Sequence, residues 1–229
     1  MNLFPVFFRM TCNFIFRSRY IYIVLGLCLL SALFVASQMT NPRFAESVAA
    51  MLIFNSLLPL VLMLEYYYAL RVFFSEKKQG VMAAFYCTPA HGSEIFWGKA
   101  ASMAFAAFIP VLLIGVLSFR LMQPQFFAAM VSPKTAAAVA LVGVMSLVYS
   151  VIIGAVVLNM DDWRMPNLVV GVILTAQFYT MKFTQASVRA HGLDSTLLQY
   201  SAAALVLAAA AVFLYARRLS KSKILSGGL

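Results

Sequence analysis

Residues 136–158 read AAAVALVGVMSLVYSVIIGAVVL, a run without a single charge. A helix needs about 20 apolar residues to cross ~30 Å of hydrocarbon, so this run is long enough by itself. Its apolar residues do not alternate with polar ones, as the strands of a membrane barrel would require. Working outward, runs of the same kind recur at 20–37, 48–70, 100–121, 167–181 and 197–215. The chain therefore reads as an all-α integral membrane protein, one domain over 1–229 with six transmembrane helices. Composition agrees. With 63% hydrophobic and 10% charged residues, 229 residues cannot cover an ordinary soluble surface.

An even number of spans puts both termini on one side. That side receives Arg9, Arg17, Arg19, Arg71, Lys77, Lys78, Lys99, Arg164, Arg217, Arg218, Lys221 and Lys223. The other receives Arg43, Arg120, Lys134, Lys182 and Arg189, and the two sets account for all 17 basic residues. The positive-inside bias places both termini in the cytoplasm and the protein in the cell (inner) membrane. The net charge of +10 is thereby a membrane-orienting charge, and nucleic acid is not expected as a partner. Cys12, Cys28 and Cys87 are scattered, with neither a disulfide framework nor zinc spacing.

Ahead of the first span, residues 1–19 hold Arg9, Asn13 and Arg17 four apart among Leu3, Phe4, Val6, Phe7, Phe8, Phe14 and Ile15. On a helix they form a narrow polar stripe, which suits a helix lying in the headgroup region. Pro5 fits its first turn. Val35-Ala36-Ser37 could pass as a signal-peptidase site, but the apolar run before it exceeds the ~7–15 residues of a signal peptide, so an uncleaved span is expected.

Several polar or special residues fall inside the spans. The second holds Asn55, Pro59 and Glu65, the last beside Tyr66, Tyr67 and Tyr68. A charged side chain at the bilayer centre costs ~2.5–3.5 kcal/mol by insertion scales; the tyrosines suggest that Glu65 lies nearer the interface, where the cost is smaller. Asn55 and Glu65 are candidates for an intramembrane pairing or for lining a pathway. Pro110 interrupts the third span. Pro124 and Pro133 fall in an external connector over 122–135. In the fourth span Ser146, Ser150 and Gly154 make a small-residue stripe, suited equally to packing within the chain or between two copies.

The polar exception is 75–99, SEKKQGVMAAFYCTPAHGSEIFWGK. Ser75 can cap a short helix from Glu76 to about Cys87, with Val81, Met82 and Phe85 on one face. Thr88-Pro89 ends that helix, because the residue before proline is pushed out of the α region. Ser93 can cap a second helix with Glu94 in its first turn, running through Gly98 and Lys99 into the third span. The spacing predicts a short amphipathic helix tied to the ends of two spans.

The order Glu76, Gly80, Thr88-Pro89, Glu94-Ile95, Gly98-Lys99 resembles the signature between the second and third spans of type-2 ABC exporter permeases. It departs from that pattern at Lys77, where the family usually has arginine, and at Ala83, where it usually has glutamate. The resemblance extends over most of the chain, through the N-terminal helix, the six spans and the basic flanks. It implies a coupling helix within 75–99, with Glu76, Gly80, Val81, Met82, Phe85, Thr88, Pro89, Glu94, Gly98 and Lys99 as the ATPase-coupling residues. It also implies a partner ABC ATPase subunit in two copies, which carries ATP and Mg, and a second permease subunit as in a homodimer. The substrate would leave the cytoplasm or inner leaflet by alternating access.

The chain itself carries no catalytic or nucleotide-binding motif. Gly92 to Lys99 has five residues between its glycines where a phosphate-binding loop has four, and Ala100 replaces the Ser or Thr that holds magnesium. An intramembrane enzyme would need paired acids, a histidine cluster or a nucleophile with its base. Asp161-Asp162 lies in a tight turn, and His91 and His191 are expected on opposite sides of the membrane. A stand-alone secondary transporter or channel is the main alternative; against it, the halves show no clear repeat and Glu65 is the only acid well inside a span.

Overall fold

A computed structural model describes residues 3–19, 21–23, 25–26, 29–30, 33, 53–81, 92–122, 127, 132–158, 175, 179, 182–183 and 197–210. Among these residues the protein is all helix, with no strand. Helix α1 spans Phe4–Phe16, α2 spans Leu58–Lys78, α3 spans Gly92–Met122, α4 spans Pro133–Leu158 and α5 spans Leu197–Ala210. The stretches Leu58–Lys78, Gly92–Ser118 and Pro133–Leu158 are long and apolar enough to cross a membrane, as befits a helical membrane protein. Most of the expected first and fifth spans lie outside the described residues.

Local chemistry explains where these helices begin and bend. Ser132 caps α4: its hydroxyl accepts from the Thr135 backbone N–H at 3.3 Å, and its carbonyl accepts from Ala136 N–H at 2.9 Å. Pro133 then occupies the first helical position, where its missing N–H costs nothing. The expected connector over 122–135 is corrected here, since Pro133 opens the helix instead of delaying it. Pro110 likewise does not interrupt α3, which continues through it as one 31-residue helix. A proline removes one backbone bond and bends a spanning helix, and in lipid its neighbours can absorb that change.

α2 is not uniform. The wide turns of π-helix precede it at Ile53–Leu57 and recur within it at Leu70–Ser75, before a last α turn at Glu76–Lys78. Each wide turn holds an extra residue and so rotates everything beyond it about the helix axis.

α2 and α4 run parallel to each other, Glu65 meeting Ser146, Phe73 meeting Gly154 and Lys77 meeting Leu158, while α3 packs against both in the opposite direction. Phe73 of α2 tilts against Phe96 of α3 with ring centroids 5.5 Å apart. α4 lies tight on both partners through its glycines: a Cβ on Gly154 would come 2.7 Å from the Phe73 ring, and one on Gly143 would touch Phe108 at 3.3 Å. Ser146, Ser150 and Gly154 are all buried, so the small-residue stripe serves packing inside the chain. At the opposite end from Lys77 and Lys99, Phe54 stacks on Tyr200 of α5 at 4.1 Å.

α1 lies along the first turns of α3. Phe7, Thr11 and Ile15, one turn apart, form its buried face. Gly98 lets α1 approach: a Cβ there would come 2.9 Å from Phe7 Cβ and 3.2 Å from the Phe4 carbonyl oxygen. Ser102 donates to the Phe8 carbonyl at 2.9 Å and Phe8 meets Phe105 edge-on, closing the contact. The outer face mixes exposed Val6, Met10 and Phe14 with Arg9, Asn13 and Arg17.

Candidate functional site

The basic end of the helix bundle gathers Arg71, Lys77, Lys78 and Lys99. Lys99, about two turns into α3, has no exposed surface, whereas Glu76 in the last turn of α2 keeps 15%. Lys99 Nζ donates to Glu76 Oε2, and the two charges cancel between the helices. The ammonium also sits 6.0 Å from the centre of the Phe73 ring, within cation–π range. An unpaired ammonium would be costly at this depth, so Glu76 is a condition for α3 to start here.

Two further bonds tie this end together. Lys77 Nζ donates to the Leu158 carbonyl at 3.0 Å, joining α2 to α4. Arg71 Nη1 donates to Ser18 Oγ at 2.6 Å, joining α2 to the segment that follows α1. Glu76, Lys77, Gly98 and Lys99 thus link α1, α2, α3 and α4 at one end of the molecule.

The loop itself differs in part from the sequence reading. Ser75 caps nothing: α2 runs straight through it in helical conformation, so no new helix starts at Glu76. The break comes at Gly80, whose φ of +72° is the left-handed conformation that favours glycine. Gln79 N–H bonds the Ser75 carbonyl and Gly80 N–H the Lys77 carbonyl, the pattern of a helix closing on a left-handed residue. The expected helix from Glu76 to about Cys87 is therefore corrected at its start and divided at Gly80; Val81 resumes helical backbone and is exposed. Met82, Phe85, Thr88 and Pro89 lie outside the described residues. Glu94 falls in the first turn of α3 as expected.

Of the two intramembrane candidates, Asn55 belongs to the Ile53–Leu57 turn, and its side chain lies outside the described residues. Glu65 is wholly buried, and Ser146 Oγ donates to its Oε1. Ser146 stands near the middle of the 26-residue α4, so Glu65 lies at mid-helix depth and not toward an end as its tyrosine neighbours had suggested. From Glu65 to Glu76 the helix rises about 16 Å at 1.5 Å per residue.

On α1, burial pushes the Cys12 thiol above its ordinary range, against the smaller opposing effect of a hydrogen bond with Ser102. The sequence reading missed Ser102, Lys77 and the pairing of Glu76 with Lys99. A lysine at the head of an apolar run was the available signal for that pairing, since such a lysine needs an acid at its own depth. The chain matches no protein-family model, no curated protein and no solved structure.

Proposed function

We propose that the chain is the membrane-spanning subunit of an ATP-driven exporter of the type-2 ABC permease kind, worked by a separate ATPase. The observation that carries this reading is the joint at the basic end. Glu76 and Lys99 lock the helices that flank 79–91 to each other, and Gly98 locks one of them to α1. A force applied to the short loop would have little slack to take up before it moved α2 and α3 together. In this reading the basic end is cytoplasmic, six spans bring both termini to that side of the inner membrane, and 75–99 is the coupling segment. Two copies pair as a homodimer, two ATPase subunits dock on the loops, and ATP with Mg resides in those subunits. An apolar or amphipathic substrate then leaves by alternating access, in keeping with the 20 Phe and 10 Tyr of the chain.

Replacing Met82 and Phe85 with aspartate tests this directly. The altered chain should still insert in the membrane while losing both the ATPase partner and transport. Retention of the partner by that variant would sink the coupling role of the loop. Cysteines introduced at Asn41 and Ser93 should be labelled from opposite sides of the membrane; labelling from one side overturns the six-span topology.

One observation favours a stand-alone secondary transporter or channel instead, namely the acid Glu65 buried at mid-helix. Transport by vesicles that follows an ion gradient and ignores ATP would decide for that reading.

A further inference from the structure

Glu65 is fully buried, and its two carboxyl oxygens have different surroundings. Oε1 accepts from Ser146, whereas Oε2 has no hydrogen-bond partner. One turn along α4, the buried Ser150 hydroxyl lies beside the carboxyl and also lacks a hydrogen-bond partner, as does the Tyr149 phenol. An ionised carboxylate only accepts and offers about four lone-pair sites, so the two serine hydroxyls beside it leave it far from satisfied. Among the described residues no cation stands against it. The titratable groups near it are phenols: Tyr149 on α4, with Tyr66 and Tyr68 on α2 itself. From α3 nothing titratable can approach, because no such residue occurs between Lys99 and Arg120.

We infer that Glu65, Ser146 and Ser150 form a proton-binding site in the middle of the α2–α4 contact, with Glu65 holding the proton at neutral pH. Protonation converts Oε2 into a donor facing Ser150, while Oε1 keeps the bond from Ser146. Both orphaned atoms are then used, and no net charge remains between the helices. A metal ion fits less well. A hard cation requires six or more oxygens, and the helical backbone carbonyls here are already committed to their own ladders. Release of the proton places a bare charge in a contact sealed by Phe73 against Gly154, so α2 and α4 must admit water or part. The packing of this helix pair is thereby linked to proton binding. This inference does not rest on the exporter reading.

The test is infrared spectroscopy of the purified full chain in lipid nanodiscs at neutral pH. The carbonyl stretch of a protonated carboxylic acid is expected in the wild type and should vanish in Glu65→Gln, which keeps the neutral shape of the site. Ser150→Ala should shift the frequency of that band. A wild-type spectrum without the band overturns the proposal, and so does a band that survives in Glu65→Gln. Should Glu65→Gln fail to fold, an unmoved band in Ser150→Ala serves as the refuting result. Thermal stabilisation by sodium, with only carboxylate bands in the wild type, would identify a cation site instead and also overturn it.

Discussion

α2 carries two buried or nearly buried glutamates eleven positions apart, and the fold treats them differently. Glu76 meets a lysine, Lys99, and Glu65 meets serine hydroxyls. At the basic end both members of the pair are needed as charges, since Lys99 is entirely enclosed and has no nearer acid to draw on. In the middle of the helix bundle the partners are short hydroxyls on a stripe of small residues, which close packing of α4 requires. Depth and helix spacing explain the contrast. Where helix ends meet loops, long side chains have room to reach each other; where α4 lies tight on α2, only serine and glycine fit.

That contrast can be broken most forcefully at the charged pair. Glu76→Gln leaves Lys99 enclosed without a counter-charge and is expected to cost about 3 kcal/mol, the low end for a buried pair because Glu76 keeps 15% exposure. Lys99→Met should cost less, because Glu76 can turn to water, and the double variant Glu76→Gln with Lys99→Met should recover most of the loss. Thermal unfolding in detergent measures all three. Equal losses for the two single changes would mean that the burial of Lys99 is not what sets the cost.

The next largest effect is expected at Gly98→Ala. The new methyl meets Phe7 Cβ and the backbone of Phe4 and Phe8, none of which can swing aside, so overpacking of about 2 kcal/mol should lift α1 from α3. Cys12 reports that movement. Its thiol titrates above the ordinary range through burial, so thiolate-dependent labelling should set in at higher pH than for a free cysteine. In Gly98→Ala the onset should move back to lower pH and the rate should rise; an unchanged profile would show that α1 does not depend on this contact.

Gly154→Ala probes the α2–α4 contact close to the basic end, where Phe73 also lies beside Lys99. Its methyl meets the outer edge of the Phe73 ring, which can shift partly, so a loss of about 1–2 kcal/mol is expected. Adding Phe73→Leu should restore part of it, and failure of that rescue would place the strain elsewhere. The smallest effect belongs to Gly80→Ala. Space around it is open, so only the left-handed backbone is penalised, by about 1 kcal/mol, and Gly80→Asn should be closer to neutral. Circular-dichroism melting curves would separate the two.

How far the sequence carried this reading follows from what each feature depends on. The expected third and fourth spans correspond to α3 and α4 because length and apolarity decide them; what shifted were starts set by local caps, Ser132-Pro133 above all. The second span resisted because its wide turns at Ile53–Leu57 and Leu70–Ser75 destroy the 3.6-residue register on which face assignment relies. Glu76 and Lys99 were both singled out, yet their partnership depends on how that rotated register faces α3. Glu65 was placed too near an end because three tyrosines beside it look like an interfacial belt; Tyr66 and Tyr68 are in fact buried. Ser146 was visible as part of a stripe, but nothing local says that a stripe of small residues also has a carboxyl to serve.

The bond from Lys77 to the Leu158 carbonyl has a consequence in time. Its two ends lie 81 residues apart, whereas Glu76 and Lys99 are separated by 23. A ribosome adding about 5–20 residues per second offers Glu76 its lysine within a few seconds, but Lys77 waits roughly 4–16 s for its acceptor to be made. During that interval the pairing of α2 with α3 has to stand without the clasp from α4. The chain thus meets the Glu76–Lys99 pair early in synthesis and adds the Lys77 clasp to the same corner later.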